Sequence, residues 1–200
     1  PVYNQILVQP VHRGINDIGT WKSALRAADM GLRSKLYDLY EDILMDGTVT
    51  DAIGKRIEAI TDCDINFTVN GKEVPRITEL IDTVEFENQL KEIMWSLFWG
   101  ISVDEYSFVN GFDFNSIPRK HIRPKEKLIL RRQYDTDGIS YSDDGMIIQW
   151  GEDDDLGLLL KVAPYVIYKR GGFGDWAQFV ELFGMPQRIG KYNSMDEQSR

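Results

Sequence analysis

The sequence has one cysteine, Cys63, and two histidines, His12 and His121, far apart along the chain. A clustered Cys/His zinc site therefore cannot be assembled from it. An unpaired cysteine also rules out an internal disulfide framework and suits a reducing, intracellular compartment. Long hydrophobic runs are missing too, since no stretch approaches the ~18 apolar residues of a membrane span. The opening PVYNQILVQP lacks the basic start and apolar core of a signal peptide. Positive charge is in short supply: 23 Lys/Arg stand against 32 Asp/Glu, a net charge of −9. Duplex binding by counterion release needs clustered cations, so tight free-standing DNA binding is disfavoured. A chain that starts at Pro1 and ends in the polar run NSMDEQSR reads as part of a longer one.

What is present is ordinary globular material, 200 residues that are 42% hydrophobic and 12% aromatic. A chain of that length buries roughly 70% of the surface its unfolded form exposes and needs no staple. Asp17 or Thr20 caps a helix through WKSALRAADM, and a second follows Gly31 with Leu32, Leu36, Leu39, Tyr40, Ile43 and Leu44 in helical register. Gly47 ends it, and Thr48 or Thr50 opens a third. In CDINFTVNGKEV, Ile65, Phe67 and Val69 alternate with polar residues before Asn70-Gly71, the signature of a strand entering a hairpin. ITELID and FENQLKEIMWSLFWG return to helix. The second of these is the most apolar and reads as the core helix, with Phe86, Leu90, Ile93, Met94, Leu97 and Phe98 on one side and Gly100 as its stop.

ISVDEYSFV then reads as a strand, Pro118 and Pro124 bracket an irregular stretch, and KLILRRQYD, GISYS and MIIQW read as short strands between Asp-Gly turns. The tail returns to helix in two pieces, LGLLLKVAPYVIYKRGG broken at Pro164 and FGDWAQFVELFG, followed by a short strand MPQRIGKY. This order predicts an α+β fold: N-terminal helices, a mixed or antiparallel sheet of short strands, a core apolar helix and C-terminal helices. The predicted regions are a helical and strand body over about 1–110, a charged strand-rich subregion over about 111–157, and a helical tract over 158–200.

Few residue constellations point to chemistry. Gly172-Phe173-Gly174-Asp175-Trp176-Ala177 satisfies the relaxed dinucleotide fingerprint, whose glycines let backbone amides approach a pyrophosphate at a helix start. Upstream of it lies a helix containing Pro164 where a βαβ unit needs a strand, so it reads as a Gly-rich connector with Asp175 near a helix start. No G-x-S-x-G elbow exists, and His121, between Lys120 and Arg123, reads as a solvated loop residue. His12 falls in an N-terminal arm. The aspartates around Gly138 and Gly145 lack the spacing of a calcium loop. Asp104 and Glu105 are adjacent on a strand and point to opposite faces, so they cannot act as a paired acid and base. No catalytic, cofactor or metal site is expected.

Charge distribution says more than its total. Arg119, Lys120, Arg123, Lys125, Lys127, Arg131 and Arg132 surround a single acid, Glu126, for a net +6. From Gln133 to Asp155 there are eight acids, among them Asp143, Asp144, Asp153, Asp154 and Asp155, and no base. One reading is a polar edge sheet decorated with charge against aggregation. The other is a basic patch on each subunit that meets the acidic patch of its neighbour, a head-to-tail contact that closes rings. A nucleic-acid patch over Arg119–Arg132 ranks third, because no aromatic residue for base stacking is interleaved there.

The C-terminal stretch resembles the portal protein family of Mu-like bacteriophages, whose chains carry a similar tract, D-W-A-x-F-x-E-x-F-G-M-P-x-R-x-G-x-Y. Here it is Asp175, Trp176, Ala177, Phe179, Glu181, Phe183, Gly184, Met185, Pro186, Arg188, Gly190 and Tyr192. Looser likeness extends to DGTVTDAIGKRIEAI, FENQLKEIMWSLFWGISVDEYSF and SIPRKHIRP. The resemblance implies a non-enzymatic structural protein, a homo-oligomeric ring of about twelve subunits at one capsid vertex. It implies a virion component assembled in the host cytoplasm, with terminase, capsid and tail or adaptor proteins as partners. Duplex DNA would pass through without sequence-specific binding, and no membrane or cofactor is involved. Within the tract, Trp176, Phe179, Val180 and Phe183 share one helical face for packing on the core or on a neighbouring subunit, Gly184 closes the helix and Pro186 prevents its continuation. The rival readings are a nucleotide-binding enzyme using Gly172–Ala177 and a nucleic-acid-binding adaptor using Arg119–Arg132.

Overall fold

A computed structural model of the chain describes residues 1–8, 17–109 and 111–184. His12, Met185, Pro186, Arg188, Gly190, Tyr192 and the expected strand MPQRIGKY lie outside the described residues. The chain divides into two compact units, residues 1–167 and 168–200.

In the first unit, α1 (Ile18–Asp29) is capped by Asp17, whose carboxylate accepts from the Thr20 amide at 2.6 Å. The helix α2 (Ser34–Ile43) follows. α3 (Gly47–Thr61) is capped by Asp46, which accepts from the amides of Thr48 and Val49. Gly47 thus opens α3 where the sequence reading had it end α2. The reason is local, because an aspartate one position earlier satisfies two of the free first-turn amides. β1 (Thr68–Val69) and β2 (Lys72–Glu73) form a minimal hairpin. Its turn residues Asn70 and Gly71 both have positive φ, 52° and 75°, as the Asn-Gly pair requires. Ile65 and Phe67 precede the paired strand.

After α4 (Pro75–Ile81), α5 (Val84–Trp99) ends at Gly100, which takes φ 88° as a left-handed cap. β3 (Ser102–Ser107) is the centre of a three-stranded antiparallel sheet between β4 (Asp113–Ser116) and β8 (Ile147–Trp150). A second antiparallel sheet has β6 (Leu128–Leu130) between β5 (Ile122–Arg123) and β7 (Gly138–Ser140). The α+β architecture with short antiparallel strands is therefore the one observed.

The core centres on α2, and α5, the helix expected to be the core one, joins it through its C-terminal end. Leu36, Tyr37, Leu39, Tyr40 and Ile43 of α2 are all fully buried, whereas α5 buries Gln89, Ser96, Phe98 and Trp99 and leaves Leu97 half exposed. Amphipathic α2 concentrates its apolar groups in one stripe, and that stripe decides burial more than mean hydropathy does. Tyr37 and Tyr40 meet Trp99 edge-on, each with ring centroids 5.7 Å apart, joining α2 to the end of α5. The Tyr40 hydroxyl donates to the Leu156 carbonyl at 2.5 Å. Close by, the chain crosses itself at Gly100 and Gly157, where a Cβ on either residue would collide with backbone of the other segment.

The final helix, α6 (Leu159–Phe183), is continuous, with Pro164 inside it. The expected break at Pro164 is corrected: a proline removes one main-chain hydrogen bond, and Leu159, Ala163 and Val166 are buried on either side of it. No helix among the described residues is long and apolar enough to cross a membrane.

Candidate functional site

The basic and acidic blocks meet within the chain. Lys125 pairs with Asp154 at 2.8 Å and Lys127 with Asp153 at 2.6 Å, so the turn between β5 and β6 is tied to the loop after β8. Hydrogen bonds from Gln149 and Lys127 hold the Asp153 carboxyl below the usual carboxylate range. Buried Arg33, just before α2, donates to the Asp153 carbonyl at 2.5 Å and anchors the same loop from the other side. Asp155 accepts from the Gly157 amide at 2.8 Å, which fixes the glycine crossing.

Arg119, Lys120 and Arg123 turn inward. Arg119 binds Glu92 of α5 and donates to the Ser102 hydroxyl at 2.7 Å and the Ile101 carbonyl at 3.0 Å, with its guanidinium 5.2 Å from the Trp99 ring centre. Lys120 lies between Asp38 at 2.6 Å and Glu41 at 2.8 Å. Burial alone would lower its pKa, but hydrogen bonds and attraction from those two carboxylates outweigh it and hold the ammonium above its ordinary value. Arg123 reaches Glu126 at 3.3 Å and the Asp135 carbonyl at 2.8 Å. Arg131 and Arg132 alone in the block make no ion pair among the described residues, and both are exposed. Among the acids, Asp143 is exposed, and Asp144 accepts from the Met146 amide at 2.9 Å. The two blocks thus do their first work inside one chain, which narrows the surface left for a neighbour.

His121 is fully buried, which corrects the solvated-loop reading. Its Nδ1 bonds the Leu130 carbonyl at 3.0 Å; a carbonyl only accepts, so Nδ1 carries the hydrogen and Nε2 is a bare lone pair. Burial pushes its pKa down. It lines a cavity of about 200 Å³ with Tyr37, Glu41, Trp99 and Lys120, and no serine or cysteine among the described residues lines that cavity. A wider groove of about 530 Å³ runs between the end of α3 and the start of α5. It combines Asp62, Asp64, Asp82 and Glu87 with Ile65, Phe86 and Leu90, and Cys63 lines it with its thiol on the Ala59 carbonyl at 3.2 Å. No cluster of three or more His, Cys, Asp or Glu among the described residues could hold a metal ion.

Gly172–Ala177 lies in the interior of α6, thirteen or more positions beyond its start. The connector reading and the placement of Asp175 near a helix start are both corrected. Interior helical amides are already bonded to carbonyls four residues back and cannot cradle a pyrophosphate. The described residues of the second unit carry a run of exposed apolar side chains: Phe173, Trp176, Phe179, Val180, Leu182 and Phe183. The rings of Phe179 and Phe183 stack at 4.9 Å. Gly184 follows the last helical residue with its amide on the Val180 carbonyl at 2.7 Å.

One network escaped the sequence reading. Asp104 of β3 is fully buried against Gln89 of α5, beside the Glu92–Arg119 pair. Glu105 on the opposite face accepts from the amides of Val2 at 2.7 Å and Tyr3 at 3.0 Å, so the two neighbours do face apart. The available signal was the polar row Gln89, Glu92 and Ser96 along one side of α5.

The described residues show intramolecular ion pairs and an exposed aromatic helix face. A comparison with curated proteins returned no match. The family model for the portal protein of Mu bacteriophage matches residues 37–200, from the core of α2 through the DWAQFVELFGMPQRIGKY tract to the last residue, and the chain belongs to that family.

Proposed function

We propose that this chain is a structural subunit that assembles into a ring at a phage capsid vertex, where it serves as DNA conduit and head–tail connector. The observation that carries the reading is family membership over residues 37–200. The exposed aromatic face of α6 adds to it, because side chains such as Trp176 at 64% exposure gain by burial against another subunit, at ~25 cal/mol per Å² of apolar surface. The polar part of the contact falls to the charges that remain outside intrachain pairs, Arg131 and Arg132 on one side and Asp143 and Asp144 on the other. Arg119, Lys120 and Arg123 act one layer behind, and Asp153, Asp154 and Asp155 hold their loop through contacts within the chain. Terminase, capsid and tail or adaptor proteins are the partners of this reading, with assembly in the host cytoplasm and residence in the virion. It requires no catalytic group in this chain.

Electron microscopy of the purified full-length protein tests it, with particles bearing a central hole expected. Arg131→Glu/Arg132→Glu should lower the assembled fraction several-fold at physiological salt. Monomers that persist at every protein and salt concentration would refute ring formation. Intact rings in the double variant would refute only the assigned charges.

A further inference from the structure

We propose that Asp104 carries a proton in the folded chain, and that this proton, given to the Gln89 side-chain oxygen, forms a pH-sensitive latch fastening α5 to β3. The Gln89 Nε2–H donates to Asp104 Oδ2 at 3.1 Å. The opposite arms of the same two planar groups, Gln89 Oε1 and Asp104 Oδ1, are both buried and both lack a donor. One hydrogen on Oδ1 satisfies both at once: it donates to Oε1 and completes a cyclic acid–amide pair. An ionised Asp104 leaves two buried acceptors unmatched, an arrangement that proteins avoid.

The charged groups around Asp104 favour the same state. From α5, Glu92 adds a second negative charge. From the turn after β4, Arg119 is the nearby cation, and it is already bonded to Glu92, Ser102 and the Ile101 carbonyl. Asp104 makes no ion pair of its own among the described residues. From β4, Ser116 faces the carboxyl with a neutral hydroxyl; from β8, the cross-strand partner is Ile148. Further along β3, Tyr106 is a phenol whose own pKa is pushed up to about 12. Burial is the largest influence on Asp104 and raises its pKa, with Glu92 in the same direction and Gln89, Ser116 and Arg119 opposing.

A group whose pKa is higher in the folded than in the unfolded chain stabilises the fold below the unfolded value and loses that contribution as pH rises through the folded value. The latch is therefore closed in acid and opens as pH rises through the folded value, at the seam between α5 and the β4-β3-β8 sheet.

Infrared spectroscopy of the full chain reads the proton directly, since a protonated carboxyl has a carbonyl stretch distinct from that of a carboxylate. At neutral pH the wild-type chain should show an acid band that is missing in Asp104→Asn and that bleaches as pH is raised. Asp104→Asn, which can still donate N–H to Gln89 Oε1, should also flatten the decline in thermal stability as pH rises from the unfolded-chain value of about 4 through the folded value. In Gln89→Leu the band should move to higher frequency as its acceptor is lost. No acid band in the wild type at neutral pH overturns the proposal whether or not either variant folds, and so does a band left unchanged by Asp104→Asn.

Discussion

The glycine crossing lets one chemical change be tried in two places with opposite expected signs. At Gly157 the backbone has φ +75°, and a Cβ there would collide with the Phe98 carbonyl oxygen and the Gly100 amide nitrogen. Both obstacles are main chain at the capped end of α5, so no side chain can swing aside. Left-handed backbone costs an alanine ~1–2 kcal/mol. Displacing packed backbone adds ~1–3 kcal/mol, the usual cost of overpacking. Gly157→Ala should therefore destabilise the first unit by about 2–5 kcal/mol. Gly172 is the control: it sits inside α6, and nothing lies within 4 Å of where its Cβ would be. Gly172→Ala should strengthen the helix by about 0.5–1 kcal/mol. Urea unfolding followed by tryptophan fluorescence measures the first, with a lower midpoint at unchanged slope. Hydrogen exchange of the α6 amides measures the second, as slower exchange. A Gly157→Ala midpoint indistinguishable from wild type would show that the crossing is not closely packed and would refute the reasoning.

Two further outcomes are expected. Tyr40→Phe removes the donor to the Leu156 carbonyl and should cost about 1–3 kcal/mol in urea unfolding, because that carbonyl loses its partner without gaining another. For His121, burial places the folded pKa below the unfolded value of about 6.5, so its contribution is present above pH ~6.5 and is lost as pH falls through the folded value. Thermal melts between neutral and mildly acidic pH should show that decline, and His121→Asn, which can keep an N–H toward the Leu130 carbonyl, should reduce it.

Where one short segment determines its own structure, the sequence was sufficient. Asn70-Gly71 can form its turn because both residues tolerate positive φ, Gly100 stops α5 for the same reason, and Asp17 caps α1 with its own carboxylate. Failures cluster where distant segments decide. Pro164 was read as a break, but tertiary burial of its neighbours carries the helix through. The glycine fingerprint had the right letters and the wrong backbone, since a helix interior uses up the amides that the motif must present. The expected core helix α5 reaches the core with Phe98 and Trp99 at its end, and the better segregated stripe of α2 forms its centre. The charge blocks were legible as blocks; that Lys125 and Lys127 fold back on Asp154 and Asp153 depends on a loop closure that linear spacing does not reveal. The DWAQFVELFGMPQRIGKY tract was the most informative part of the sequence, and it pointed to the family before any geometry did.

The inward-turned bases bear on how a polyanion would travel past this chain. Bare lysines and arginines act as a ratchet of sticky contacts, each of which must be broken before the next phosphate can advance. Five of the seven bases in this run already hold partners of their own, so on the proposed conduit reading a sliding strand would meet little friction there.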